Sequence, residues 1–368
     1  MSERPKTSTR DYEQLRDQLQ DWLKAKLAPD AHPGISSIQV PPSSGMSSDT
    51  VLFDITMQES GQTRILPCVA RLAPDSSAVP IFPKYDLEKE FRVMQLVAST
   101  TDVPVPRPLW FEGSEHWLGS PFIVIQRVEG QAPPDVMPYN FGSWLSMASP
   151  QEQQRLQEET IRVIAKLHEV RPPQADLSFL QFSNAAPSTL QRHIEEQRAY
   201  YQWVTRERRV PLLERCFAWL EEHLPEDSGE DVLSWGDSRI GNILYQDFRP
   251  VGVLDWELAA VGPRELDLGW LIFLHRFFED IAVMAGLPGM PDFLRKDDVA
   301  ATYEKLSGHK PRNLDFFIFY AALRHGIIIA KVHQRKVLFG EMVAVADPDD
   351  SIMHRAALEK MLAGTYTY

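Results

Sequence analysis

Residues Ser234–Leu244 read SWGDSRIGNIL, and residues Val253–Glu257 read VLDWE. These two segments hold two carboxylates and one amide in the order Asp237, Asn242 and Asp255. Each residue taken alone is typical of a turn or a helix cap. The three together, in this order and at this spacing, indicate a functional centre, because few chemistries require such a set.

The residues between Asn242 and Asp255 have the pattern of a β-hairpin. Apolar residues run from Ile243 to Tyr245 and from Val251 to Leu254, with turn-forming residues between them. A four-residue loop over 247–250 would place Asn242 directly opposite Asp255, with Cβ atoms about 4.5–5.5 Å apart. Amide and carboxylate oxygens at that spacing can bind a hard cation such as Mg²⁺ against phosphate oxygens.

This arrangement resembles the catalytic centre of the aminoglycoside phosphotransferase family, the small-molecule kinases of the protein-kinase-like superfamily. The resemblance implies that Asp237 accepts the proton of the acceptor hydroxyl and that Asn242 and Asp255 bind Mg²⁺. It also implies that Arg239 contacts the transferred phosphoryl group. The chain departs from the family at Trp235, where His is most common.

The resemblance further implies a nucleotide site in the N-terminal part of the chain. Segment Ser43–Thr50 is the candidate phosphate loop, and Ser47 and Ser48 are its candidate hydrogen-bond donors. The backbone of Gln126 and Val128 would contact the adenine edge by family position. The nucleotide is expected to be ATP, with GTP possible, together with Mg²⁺.

A basic residue for the phosphates is implied at Arg71, where kinase-like folds usually place Lys. Arginine can bind phosphate oxygens with two nitrogens, but it is not a neutral replacement for lysine. Its implied partner is Glu90 on the following helix, with Glu88 as the alternative. A surface salt bridge without a functional role would give the same pattern.

Two other functions are compatible with parts of the sequence. Gly236-Asp237-Ser238 matches the nucleophile segment of Gly-Asp-Ser esterases, but the Asp-x-x-His that those hydrolases need is absent from the sequence. A catalytically silent nucleotide-binding pseudokinase is favoured by Arg71 and Trp235. The intact Asp237, Asn242 and Asp255 favour an active enzyme over this alternative.

Composition excludes some classes of protein. The net charge of -13 argues against general nucleic-acid binding and would suit a cationic acceptor. Two cysteines make a disulfide framework unlikely to be the basis of the fold. The N-terminus is charged, and the apolar stretch 316–330 is interrupted by Arg324 and His325. We therefore expect a cytoplasmic protein without a signal peptide or a membrane span, whose oligomeric state stays open.

The order of elements predicts an α+β, two-lobed protein-kinase-like fold. Residues 1–129 form the expected nucleotide-binding lobe, with a helix at about 9–27 and an antiparallel sheet that carries a further helix. Residues 130–368 form the larger, mainly helical lobe, with the catalytic loop and the site for a small-molecule hydroxyl acceptor. Apolar residues in 270–278 and 284–293 suggest an acceptor less polar than an aminoglycoside.

Overall fold

The computed structural model describes residues 10–41, 48–74, 79–206 and 208–367. The start of the N-terminal helix at residue 9 and residues 43–47 of the candidate phosphate loop, which include Ser47, lie outside these ranges. The chain divides into a first unit, Met1–Leu96 with Pro106–Val128, and a second unit, Val97–Val105 with Glu129–Tyr368. The predicted boundary after residue 129 falls beside this division.

The first unit is built on an antiparallel sheet. Its described strands are β1 Gly34–Ile35, β2 Asp49–Glu59, β3 Gln62–Leu72, β4 Pro108–Glu112 and β5 Phe122–Gln126, in the spatial order β1-β2-β3-β5-β4. Two helices accompany them, α1 Tyr12–Lys26 and α2 Leu87–Thr100, the last turn of which belongs to the second unit. The sequence pattern missed β1, because two residues are too few to show a period.

Helix α1 closes one face of this sheet. It begins at Tyr12 because the Asp11 carboxylate accepts hydrogen bonds from two backbone N–H groups of the first turn. Its apolar side chains recur at helical spacing and are buried against β2, β3 and β5: Leu15, Leu19, Trp22 and Leu23. The Trp22 and Phe122 rings lie 4.9 Å apart, edge to face, at the centre of this core.

The second unit is mainly helical. Its described helices are α3 Pro150–Leu167, α4 Thr189–Val204, α5 Pro211–Glu222, α6 Glu265–Met284, α7 Lys296–Ser307, α8 Leu314–Leu338 and α9 Arg355–Leu362. Four short strands form two antiparallel pairs, β6 Asp231–Ser234 with β9 Ala260–Pro263 and β7 Ile243–Gln246 with β8 Arg249–Val253. The two units together confirm the predicted α+β class.

The hairpin β7–β8 forms, but its predicted register is wrong. The turn has two residues, Asp247 and Phe248, and both adopt left-handed backbone angles (φ 48° and 60°). An irregularity beside Tyr245 shifts the pairing, so that Ile243 faces Val253. Asn242 is consequently opposite Leu254 and not opposite Asp255. The Leu254 backbone N–H donates to the Asn242 carbonyl over 2.9 Å.

Helices α6 and α8 pack closely along their length. A Cβ added at Gly269 of α6 would lie 2.6 Å from the backbone carbon of Phe317 in α8, so only glycine fits there. Among the described residues, α8 is the one helix long and apolar enough to cross a bilayer. Of its most apolar 18-residue stretch, 72% is buried inside the protein. Such burial is what the core helix of a folded domain shows.

Several histidines of the second unit are buried as neutral rings. His193 on α4 lies 2.8 Å from the Val261 carbonyl, so its Nε2 must donate a proton to that oxygen. Burial lowers the pKa of His193 to about 4, the pKa of His275 to about 3 and that of His354 to about 4. The unfolded chain would take up protons on these rings below about pH 6.5.

The stability of the protein should therefore depend on pH. The folded pKa values are depressed, so the stabilisation is complete above about pH 6.5 and is lost as the pH falls toward 4. The variant His193→Gln keeps an N–H for Val261 but cannot titrate, so its unfolding midpoint should fall less steeply between pH 7 and pH 5. Thermal unfolding in a pH series measures this. Equal slopes for parent and variant would contradict the assignment.

Candidate active site

The loop that leads into the hairpin is held by one buried carboxylate, Asp267, in the first turn of α6. Its oxygens accept hydrogen bonds from the backbone N–H of Trp235 (2.8 Å) and Gly236 (2.9 Å) and from the Ser234 hydroxyl (3.0 Å). The His168 Nε2 atom lies 3.1 Å away on the other side. Burial would raise the pKa of Asp267, but these hydrogen bonds, led by that from His168, lower it, so the group stays ionised.

The residues beside Asp237 give the loop its shape. Gly236 has φ 86°, and a Cβ there would lie 2.0 Å from the Leu258 carbonyl oxygen, so no other residue fits. Trp235 is fully buried, and its indole N–H donates to the Leu254 carbonyl over 2.9 Å. The residue that departs from the family pattern therefore ties the loop to the end of the hairpin.

The Asp237 carboxylate is fixed by three donors. Its Oδ2 atom accepts from the Asn242 amide (2.7 Å) and the Arg239 Nε (3.2 Å), and its Oδ1 atom accepts from the Trp270 indole (2.6 Å). Its side chain is 13% exposed. Sequence reasoning missed Trp270 as a site residue, although it stands three positions after Asp267 and hence on the same face of a helix.

Arg239 lies between two carboxylates. Its Nη1 is 2.5 Å from Asp135, and its Nε contacts Asp237. Burial alone would lower the pKa of Arg239, but the attraction of Asp237 and Asp135 outweighs burial and raises it. A Cβ on Gly241 would lie 2.4 Å from the guanidinium, so glycine is required for this placement. Sequence reasoning also missed Asp135, which lies in an irregular segment without a recognisable pattern.

Asn242 and Asp255 present oxygen atoms suited to a hard cation. The Nδ2 atom of buried Asn242 is used by Asp237, which leaves its Oδ1 as the acceptor for other groups. Asp255 follows β8 with a left-handed backbone (φ 63°), a conformation that Asp tolerates better than most residues. Within the described ranges, no group of three or more His, Cys, Asp or Glu could hold a metal by itself. The pair suits Mg²⁺, which typically takes its other ligands from phosphates and water.

The predicted basic residue of the first unit is held in a small polar cluster. Arg71 on β3 forms an ion pair with Glu90 on α2 over 3.2 Å, and Glu90 is 1% exposed. The Ser48 hydroxyl, which is also buried, accepts from two nitrogens of Arg71 (3.3 and 3.2 Å). The alternative partner Glu88 is exposed. The buried pair is therefore not a solvated surface salt bridge.

The proposed adenine contacts lie at the end of β5. The N–H of Gln126 donates to the Arg107 carbonyl over 2.9 Å, and the N–H of Arg127 donates to the Pro67 carbonyl over 2.9 Å. Val128 follows the strand and is half-buried. The Gln126 N–H is thus committed to the sheet, and a ligand would have to use the Gln126 carbonyl or the backbone of Val128.

Comparison with known proteins agrees with this fold. A kinase-like α+β fold with an Asp–Asn–Asp site defines a phosphotransferase class of protein. The model of the phosphotransferase enzyme family matches residues 39–295. The chain belongs to that family, and the resemblance drawn from the sequence is confirmed.

The chain is 29% identical over 332 residues to acyl-CoA dehydrogenase family member 11 of Gallus gallus, an alignment that covers 87% of the chain. It spans 39% of the length of that protein and 30% of the human protein of the same name. It is therefore similar to a part of these longer relatives.

Solved structures share the fold. A Ralstonia eutropha protein provisionally named an aminoglycoside phosphotransferase superposes with a TM-score of 0.64 at 21% identity, covering 95% of this chain and 97% of that one. The GDP complex of aminoglycoside 2'-phosphotransferase-IIIa superposes with a TM-score of 0.56 at 15% identity, covering 95% and 99%.

The hydrogen bonds of Asp267 predict a large effect of Asp267→Asn. In this variant an amide N–H faces groups that are themselves hydrogen-bond donors. The substitution also removes the buried negative charge that these donors stabilise. We expect a loss of about 3–5 kcal/mol in the free energy of unfolding, measured by urea denaturation. The control is Asp315→Asn, which removes an exposed ion pair with Lys296 and should cost less than about 1 kcal/mol. Similar losses in both variants would contradict the role of Asp267.

Proposed function

We propose that this protein transfers the γ-phosphoryl group of ATP to a hydroxyl of a small molecule. The observation that carries the proposal is the Asp237 carboxylate, which is fixed by Asn242, Arg239 and Trp270 at the entrance to the hairpin. Membership of the phosphotransferase enzyme family supports it. A structural relative is known as a GDP complex, so GTP is retained as a second candidate donor.

The contacts of the residues support the following roles. Asp237 orients the acceptor hydroxyl and accepts its proton. The N–H groups of Trp270 and Asn242 fix the orientation of the Asp237 carboxylate. Arg239 places positive charge beside this carboxylate and would stabilise charge on the transferred group. Arg71, held by Glu90 and Ser48, would bind phosphate oxygens.

Asn242 and Asp255 would hold Mg²⁺ through their side-chain oxygens, as their chemistry fits that ion. When bound, Mg²⁺ neutralises phosphate charge and orients the phosphoryl group. Ser47 with Ser48 and the backbones of Gln126 and Val128 complete the proposed nucleotide contacts. The Gln126 carbonyl is the atom of that residue left for the base, because its N–H is bonded to Arg107.

A second candidate is a protein that binds nucleotide without transferring phosphate. The observation in its favour is the set of arginine contacts: Arg71 replaces the usual lysine, and Arg239 is engaged by Asp135. The two candidates differ in turnover and agree in nucleotide binding, so turnover by the parent protein separates them, and one variant tests the catalytic residue.

That variant is Asp237→Asn. It removes the proton acceptor but can keep hydrogen bonds within the loop, so turnover should fall by about 10²–10⁴-fold. Release of ADP in a screen of small alcohols measures turnover. Stabilisation against heat by Mg-ATP should persist, because Asn242 and Asp255 are unchanged.

The matched control is Asp298→Asn, which removes an acidic side chain paired with Arg295 on the surface of the same unit. Its turnover should equal that of the parent. Equal turnover by parent and Asp237→Asn would show that Asp237 is not the catalytic base. Nucleotide binding without acceptor-dependent ADP release in the parent would favour the second candidate.

A further inference from the structure

A buried arginine, which has no acidic partner among the described residues, contacts the tryptophan that donates to Asp237. Arg324, on α8, is 9% exposed. Its guanidinium carbon lies 4.4 Å from the centre of the Trp270 ring. The edge of the same indole donates its N–H to Asp237. Trp270 thus contacts Arg324 with its face and the catalytic carboxylate with its edge.

Two other arginines of this unit, Arg264 and Arg239, are placed differently. Arg264, which is 7% exposed, donates to Glu230, to the Tyr303 hydroxyl and to the His168 carbonyl. Arg239 lies between two carboxylates. Across the described parts of the chain, by contrast, no oxygen accepts a hydrogen bond from Arg324 and no carboxylate forms an ion pair with it.

Burying the Arg324 guanidinium in this way lowers the stability of the protein when no ligand is bound. A buried charge needs a partner or hydrogen bonds to offset the loss of water. The contact with Trp270 offsets a part of this, since a cation over an aromatic face contributes roughly 0.5–2 kcal/mol. The guanidinium nitrogens are not among the fully buried, unpartnered atoms found within the described ranges, so they keep some solvent-exposed surface.

The neighbours of Arg324 do not supply the missing anion. The Tyr320 hydroxyl, one turn earlier on α8, is directed to the His193 carbonyl (3.4 Å). The ring of His325 packs against Phe277 (4.7 Å) and Trp270 (6.3 Å). Burial holds the pKa of His325 well below its usual range, so this ring stays neutral. Arg324 is therefore a localised positive charge at the Trp270 surface.

We propose that Arg324 binds an oxyanion of the acceptor, a carboxylate or a phosphate, while the acceptor hydroxyl lies at Asp237. This inference rests on the proposed phosphotransferase function and specifies its acceptor class. The planar guanidinium can donate two parallel hydrogen bonds to either anion. An anionic acceptor is the opposite of the cationic acceptor that the net charge of -13 suggests.

The experiment measures ADP release from Mg-ATP with matched acceptor pairs. The pairs are hydroxycarboxylates of three to eight carbons with their amides, and glycerol 3-phosphate with glycerol; a cationic aminoglycoside is added alone. We expect a lower KM for the anionic member of at least one pair. Preference for the hydroxycarboxylates or for glycerol 3-phosphate distinguishes the two oxyanions.

Variants at Arg324 test its role directly. Arg324→Gln should raise the KM of the preferred anionic acceptor by about 10–100-fold, the range for a lost hydrogen bond to a charged group. The KM of the neutral counterpart should not change. Arg324→Lys keeps the charge but loses the paired donors, so its effect should be intermediate. Neither variant leaves a carboxylate unpaired, and both should unfold no earlier than the parent.

The matched control is Arg198→Gln, because Arg198 also lies over an aromatic ring, 4.6 Å from the centre of Phe217, but pairs with Glu221. It should leave the KM for every acceptor unchanged. The inference is overturned if Arg324→Gln changes anionic and neutral acceptors alike, or if Mg-ATP binds and only neutral or cationic alcohols react. Absence of both nucleotide binding and ADP release would instead overturn the proposed function itself.

Discussion

The second unit depends on the hydrogen bonds made by the Asp267 carboxylate. This single buried charge accepts two backbone N–H groups and a hydroxyl from the segment Ser234–Gly236, and it contacts His168 on the opposite side. A carboxylate with so many donors is stable in its ionised form although it is buried. The loop that follows is therefore held at its base, and the Asp237 carboxylate is fixed further by Asn242, Arg239 and Trp270.

Helix α6 extends this constraint from the loop to helix α8. Asp267 and Trp270 are one turn apart, so the same helix end fixes the base of the loop and donates to Asp237. Gly269, between them, lets α8 approach at Phe317. That approach sets Arg324 over the Trp270 ring. The close packing at Gly269 and the hydrogen bonds of Asp267 thus fix the neighbours of Trp270 on α8 and in the loop.

Much of the fold follows from local patterns in the sequence. Apolar periodicity predicted a helix at about 9–27, and α1 spans Tyr12–Lys26 within that range. The hairpin register could not be predicted, because Asp247 and Phe248 both adopt left-handed angles that neither residue type requires. Asp135, Trp270 and Arg324 were not predicted, since their contacts are made between residues far apart in the sequence. The motif residues could be predicted because their spacing is local, and their roles stay a prediction.

The central claim is that Asn242 and Asp255 form a metal-dependent nucleotide site. Its most direct test is thermal unfolding of the parent protein with ATP, with GTP or with neither, each with and without Mg²⁺. A nucleotide at 100 times its Kd should stabilise the protein by about 2.7 kcal/mol, and the account predicts that this shift requires Mg²⁺. The same midpoint in all six conditions at millimolar nucleotide, or a shift that is equal without Mg²⁺, would contradict it.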